Sequence, residues 1–181
     1  DEEGIDRTVI GKPNPKYTFG ITNDLSYKGF DLSFFLYSWQ GNDVLNVNKV
    51  ELTSQINQGN GLEIYKEAWD GEGTGNLIPK IDRPAGRSGT FPNRVSTFIL
   101  EDGSFIKLRD LTLGYNFRLK PASLLHRARI YLSAENLFVI TRYSGYDPEV
   151  NALGDDNTVS GVDLNNYPQA RTYRIGFQLG F

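Results

Sequence analysis

Few residues in this chain are equipped for covalent or metal chemistry. His126 is the only histidine, with Ser123 shortly before it. A serine–histidine nucleophile needs an orienting third group and an oxyanion site. The sequence offers neither, so His126 reads as an exposed turn residue. With no cysteine in the chain, disulfides, thiol nucleophiles and cysteine zinc sites are excluded. Asp147, Glu149, Asp155, Asp156 and Asp163 fall in one stretch. Oxygen-rich loops can hold Ca²⁺, but this spacing matches no EF-hand, and a solvated loop with local turn hydrogen bonds accounts for the cluster. Gly71, Gly73 and Gly75 neither follow a strand nor open a helix, so they form no dinucleotide fingerprint and read as a flexible loop tip. No carboxylate pair has the arrangement glycoside hydrolysis requires. What remains is binding chemistry. Trp39 and Trp69 offer ring faces on which sugar C–H groups stack, and Arg83, Arg87 and Arg94 could meet an anionic ligand or partner. The reading is therefore of a non-enzyme, with no catalytic residue, cofactor or metal assigned.

The composition narrows the partners. A net charge of −3 gives no basic excess of the kind a nucleic-acid surface shows. Mean hydropathy is −0.42, and no apolar run approaches the ~18 residues of a membrane-spanning helix. Aromatics make up 13% of the chain and glycines number 19, a mixture that favours strands and turns.

Two-residue alternation is the dominant pattern, and it places these residues on strands, because successive strand side chains point to opposite faces. Tyr17, Phe19, Ile21, Leu25 and Tyr27 share one face, interrupted only by Asn23, with Thr18, Gly20, Thr22, Asp24 and Ser26 opposite. Lys28-Gly29 makes a tight turn, after which Phe30, Leu32, Phe34 and Leu36 restart the apolar row. Towards the end of this second strand Phe35, Tyr37 and Trp39 make both faces aromatic. A third strand is predicted over Ser104–Phe117, a fourth over Arg127–Val139, and a last one carries Tyr173, Ile175, Phe177, Leu179 and Phe181 on its apolar side. Connections alternate between short (Lys28-Gly29 and Arg118–His126) and long (about 40–103 and 140–170). Helical stretches are expected at Val47–Gln58 and Leu62–Trp69, followed by Gly-rich sequence and a Pro/Gly/Arg segment from Pro79 to Pro92.

Such strands can bury their apolar face in a soluble core or present it to lipid. Their length, about 11–14 residues, exceeds the 5–6 usual in soluble sheets and meets the 9–11 needed to span a bilayer. Aromatics near strand ends (Tyr17, Tyr27, Phe30, Tyr115, Phe117, Tyr173, Phe181) resemble the girdles of outer-membrane barrels, as does the pairing of short turns with long loops. The opposite face is small and polar, suited to a wet lumen. Five strands cannot close a barrel without leaving open edges in hydrocarbon, so the chain is expected to be part of something larger, and the missing initiator Met agrees. The competing reading is a soluble, noncatalytic glycan-binding β-sheet domain using Trp39 and Trp69.

Several short runs carry a resemblance. Gly11-Lys12-Pro13-Asn14-Pro15-Lys16-Tyr17, Glu101-Asp102-Gly103-Ser104, Leu113-Gly114-Tyr115 and Glu135-Asn136-Leu137-Phe138 are followed by Tyr143-Ser144-Gly145-Tyr146-Asp147-Pro148-Glu149 and by Tyr167-Pro168-Gln169-Ala170-Arg171-Thr172-Tyr173. In this order they resemble the closing strands of the SusC/RagA family, the TonB-linked outer-membrane transporters of Bacteroidetes. The resemblance covers nearly the whole chain and is weakest from Asn48 to Arg94. It implies an all-β fold in which residues 1–181 supply five long antiparallel transmembrane strands, the C-terminal portion of a plugged outer-membrane β-barrel of about 22 strands. The plug and the remaining strands are expected upstream. It also implies import of oligosaccharides or oligopeptides with a SusD-like surface lipoprotein, TonB engagement through the upstream part, and a location in the cell outer membrane. The long loops are then extracellular and the C-terminus periplasmic. Tyr173, Ile175, Phe177, Leu179 and Phe181 resemble the terminal aromatic strand read by the barrel-assembly machinery.

Overall fold

The computed structural model describes residues 8–54, 62–75, 97–119, 125–150 and 160–181. Five long strands, β1 (Tyr17–Tyr27), β2 (Phe30–Gln40), β5 (Phe105–Phe117), β6 (Arg127–Thr141) and β8 (Thr172–Gly180), form one antiparallel sheet in the order β1-β2-β5-β6-β8. Three short strands, β3 (Asp43–Asn46), β4 (Leu100–Asp102) and β7 (Val162–Asp163), form a second sheet ordered β4-β3-β7. The chain divides accordingly into two compact units, one built on Pro15–Gly41, Gly103–Arg142 and Tyr167–Phe181, the other on the remaining segments.

The five-stranded sheet follows the alternation closely. Ile21 faces Leu36 and Leu25 faces Leu32 across β1 and β2. Leu32 then pairs with Leu113, Leu113 with Leu132, and Leu132 with Ile175. One face is thus apolar over all five strands. It is also exposed, with Ile175 at 68% and Phe177 at 70% of full accessibility. The β1–β2 hairpin closes through Lys28 (φ 49°) and Gly29 (φ 94°), both left-handed as a two-residue type I′ turn demands. The phase slips once. Phe35 pairs with Asp110 but Leu36 with Leu108, leaving Arg109 as an extra residue on β5. At the same level on β6 the pairing jumps from Phe138 to Glu135 past Leu137 and Asn136, and Asn136 has φ 52°. Such bulges sharpen the local twist.

The second unit is built the opposite way. Val44, Ile99, Tyr143 and Val150 are buried within it. β3 pairs antiparallel with β4 and parallel with β7. Asn46 ends β3, and its Oδ1 accepts the Lys49 N–H at 3.3 Å, an N-cap that starts α1 (Val47–Ser54). Residues 55–58 of the expected helix lie outside the described residues, and the stretch expected to be helical at Leu62–Trp69 is a 3₁₀ segment, Glu63–Glu67. The two long connections are therefore more than loops, because each donates strands to this small sheet. The glycine run, expected to be a loop tip, begins in a hydrogen-bonded turn. Thr74 donates its N–H (3.2 Å) and its hydroxyl (2.7 Å) to the Gly71 carbonyl, and Asp70 N–H donates to that hydroxyl at 2.8 Å, making a closed turn.

Candidate functional site

The polar face of the long sheet carries its charged chemistry in two rows. Near the β1–β2 turn, Asp31 on β2 accepts Asn116 Nδ2 at 2.6 Å and Arg129 Nε at 3.1 Å, with Arg129 Nη2 on its second oxygen. Arg129 continues to Gln178 Oε1 at 3.3 Å and lies 5.1 Å from the Tyr131 ring centroid. One network thus crosses β2, β5, β6 and β8. At the level of the bulge, Arg174 forks onto both oxygens of Glu135, the bidentate geometry that Arg favours. Asp110 is the cross-strand partner of Glu135.

Glycines let these large groups lie along the wall. A Cβ at Gly114 would collide with Asp31 and Arg129, one at Gly176 would collide with the Tyr131 ring, and one at Gly20 would meet the Phe35 ring at 3.2 Å. The polar face expected to be small and polar carries Thr22, Ser33, Thr112 and Ser133, with larger groups set among them. Its large side chains lie flat over glycines on neighbouring strands.

Beyond the bulge this face turns aromatic. Phe35 stacks on Tyr37 with centroids 5.7 Å apart, and Tyr37 and Trp39 pack on Phe105 at 5.5 and 5.6 Å. Lys107 is buried alongside, with Nζ 3.4 Å from Gln169 Oε1. Trp39 is accordingly half-buried, with one side committed to Phe105. Trp69 belongs to the other unit and is 40% exposed. Arg83, Arg87 and Arg94 lie outside the described residues, as do Ser123, Asp155 and Asp156. His126 is exposed and donates its backbone N–H to Gly180 O at 2.8 Å. Tyr173, Ile175, Phe177 and Leu179 stand on the exposed apolar face, and Phe181 is exposed beyond the end of β8.

In the second unit the acidic residues are structural. Asp163 is buried, accepting the Tyr143 hydroxyl at 2.6 Å and the Asn166 N–H at 3.0 Å. Burial and that carboxylate push the Tyr143 phenol well above its ordinary range. Glu101 accepts the Ser144 N–H at 2.9 Å and hydroxyl at 2.8 Å, with Asn46 Nδ2 at 3.2 Å and Lys49 Nζ at 3.5 Å. Burial alone would raise its pKa, but the Ser144 donors, Lys49 and Asn46 together hold it below 4.5. Asp147 Oδ1 accepts the Glu149 N–H at 3.0 Å, closing a turn around a fully buried Pro148. Tyr146 beside this turn is exposed. No cluster of three or more His, Cys, Asp or Glu able to hold a metal occurs among the described residues.

An exposed apolar face backed by a polar, ion-paired one is how a wall between lipid and water is built, and the relatives agree. No family model matches the chain. It is 36% identical over 97% of its length to TonB-dependent receptor P3 of Formosa agariphila, and 28% identical over 97% to TonB-dependent receptor SusC of Bacteroides thetaiotaomicron. The fold superposes on a chain of the RagAB peptide importer, with TM-score 0.77 over 96% of this chain at 27% identity in the closed–closed state and 0.72 over 91% at 28% in the open–open state. Along nearly its whole length the chain is similar to a section of TonB-dependent receptors of the SusC/RagA type. It spans only a small part of these relatives, 17% of P3 and 16% of SusC.

The residues that join the strands of this sheet through ion pairs are ones the alternation pattern did not single out. Asp31, Arg129, Glu135 and Arg174 stood on the polar side of the alternation, and the glycines Gly20, Gly114 and Gly176 share that side. Charged residues and glycines of one parity on neighbouring strands were the available signal. The missing information was the register that sets each glycine beneath its neighbour's side chain.

Proposed function

We propose that this chain is a section of the wall of a plugged outer-membrane barrel of about 22 strands, in a TonB-dependent importer of oligosaccharides or oligopeptides. The observation that carries this is the continuous exposed apolar face over all five long strands, set against an ion-paired polar face. On this reading β1 and β8, the open edges of the sheet, pair with other strands of the same barrel, since an unpaired edge in hydrocarbon costs several kcal/mol per group. The segments at about 40–103 and 140–170 face the cell exterior beside a SusD-like lipoprotein, and the Lys28-Gly29 turn and Phe181 lie on the periplasmic side. TonB acts through a part of the receptor outside this chain. Trp39, Trp69, Arg83, Arg87 and Arg94 are the candidate contacts for substrate or lipoprotein. Tyr173, Ile175, Phe177, Leu179 and Phe181 form the strand read during barrel assembly.

The absence of native cysteine in this chain makes the test direct. In a full-length receptor otherwise free of reactive cysteine, Leu132→Cys and Ser133→Cys occupy neighbouring positions on opposite faces of β6. Ser133→Cys should react with a water-soluble maleimide under conditions that open the lumen. Leu132→Cys should resist it, and a bimane attached there in detergent should be quenched by a lipid-confined quencher after reconstitution. Equal aqueous labelling of both would sink the wall reading and favour the soluble glycan-binding domain.

A further inference from the structure

We propose that the Lys28-Gly29 turn and the rings beside it form a binding site for the phosphate headgroup of a membrane phospholipid. The site presupposes the membrane reading above and adds to it a specific cation at a specific height.

The turn is an uncommon place for lysine. Type I′ turns need φ > 0 at both central residues and strongly favour Asn-Gly or Asp-Gly, whereas Lys28 is held at φ 49°. Its partner is fixed. Gly29 has φ 94°, and a Cβ there would sit 3.0 Å from Asn116 O and 3.2 Å from the Tyr115 ring. Gly29 O also accepts Asn116 N–H at 2.7 Å and Asn116 Nδ2 at 3.3 Å. The turn is thereby tied to β5 and cannot swing freely.

Lys28 is exposed, and its stem leans toward the ring of its neighbour. Its ammonium lies 5.0 Å from the centroid of the Tyr27 ring, and Tyr27 belongs to the apolar face. Next to it Phe30 packs on Tyr115 at 4.7 Å and Tyr115 on Phe117 at 5.0 Å, with Tyr27, Phe30 and Phe117 exposed. Among the described residues Lys28 forms no ion pair. Asp31, the nearest acidic residue in sequence, is on the opposite face and is taken by Arg129 and Asn116. A cation leaning over an aromatic cluster at the edge of an apolar face has the arrangement of an interfacial anchor: rings sit at headgroup depth, and the flexible stem delivers charge to the phosphates. The apolar face above it, through Leu25, Leu113 and Leu132, is continuous with the site and receives the acyl chains.

The substitution Lys28→Asn separates this role from a structural one, because Asn-Gly suits the turn at least as well as Lys-Gly. A full-length receptor carrying the segment is reconstituted with phosphatidylglycerol, partly delipidated, and compared by native mass spectrometry. Lys28→Asn should retain the most tightly held phosphatidylglycerol about fivefold less well than wild type, with the hairpin intact, and Lys28→Arg should retain it as wild type does. Excess inorganic phosphate should not displace it, since the tails contribute. Equal retention in wild type and Lys28→Asn, or full displacement by inorganic phosphate, overturns the headgroup site. Loss of heat-modifiable gel mobility in the reconstituted wild type would instead overturn the barrel reading.

Discussion

The two units of this chain solve the same problem against different surroundings. In the small sheet, Val44 is 1% exposed and polar groups such as Asp163 are buried only with partners, as in a water-soluble core. In the long sheet, Leu132 is 53% exposed at the centre of the apolar face while ion pairs line the other side. Burial alone would mark the first unit as well made and the second as a liability. On the proposed membrane reading, which sets lipid beside one face, both obey one rule: apolar surface avoids water, and charge keeps a partner or solvent.

That contrast can be broken by matched substitutions. The largest effect is expected for Val44→Asp, which buries a charge without a partner. It should destabilise the small-sheet unit by about 3–5 kcal/mol, read by hydrogen exchange on the full-length receptor, while protection of β5 and β6 remains. Leu132→Arg should cost about 2–4 kcal/mol in folding into vesicles if it lies near the bilayer midplane, where a surface position in a soluble protein would change by less than ~0.5 kcal/mol. Tyr143→Phe removes the hydroxyl donor from buried Asp163 and should weaken the small-sheet unit by about 1–3 kcal/mol, again by hydrogen exchange. The smallest effect is a pH dependence. Because the folded state holds Glu101 below 4.5, the unfolded chain takes up this proton first as the pH falls. The stabilisation is complete above the unfolded value and is lost as the pH drops through the folded one. Glu101→Gln should flatten that acid limb in a pH series of local exchange rates.

The long strands were legible because alternation is local: each residue declares its face to its neighbours. The strand bounds agree to within two residues even for β6, which runs to Thr141 rather than Val139. The bulge was visible in principle, since Ile106 and Leu108 keep one parity and Leu111 and Leu113 the other. The small sheet was not legible. Strands such as Val162–Asp163 are too short to show a period, and Leu45 finds Val162 only after most of the chain has intervened. The same holds for the candidate site. Trp39 was recognisable as an aromatic near a strand end, but its half-burial against Phe105 depends on the β2–β5 register.

By itself, then, the sequence determined the periodicity: five amphipathic strands, their order of polarity, a tight Lys28-Gly29 turn, and the exclusion of thiol chemistry. Tertiary structure decided what sits across from what. It placed Arg129 on Asp31, Tyr131 over Gly176 and the Tyr143 hydroxyl on Asp163. Alternation is fixed by backbone geometry one residue at a time, whereas these pairings depend on strand register and chain return, which no local pattern encodes.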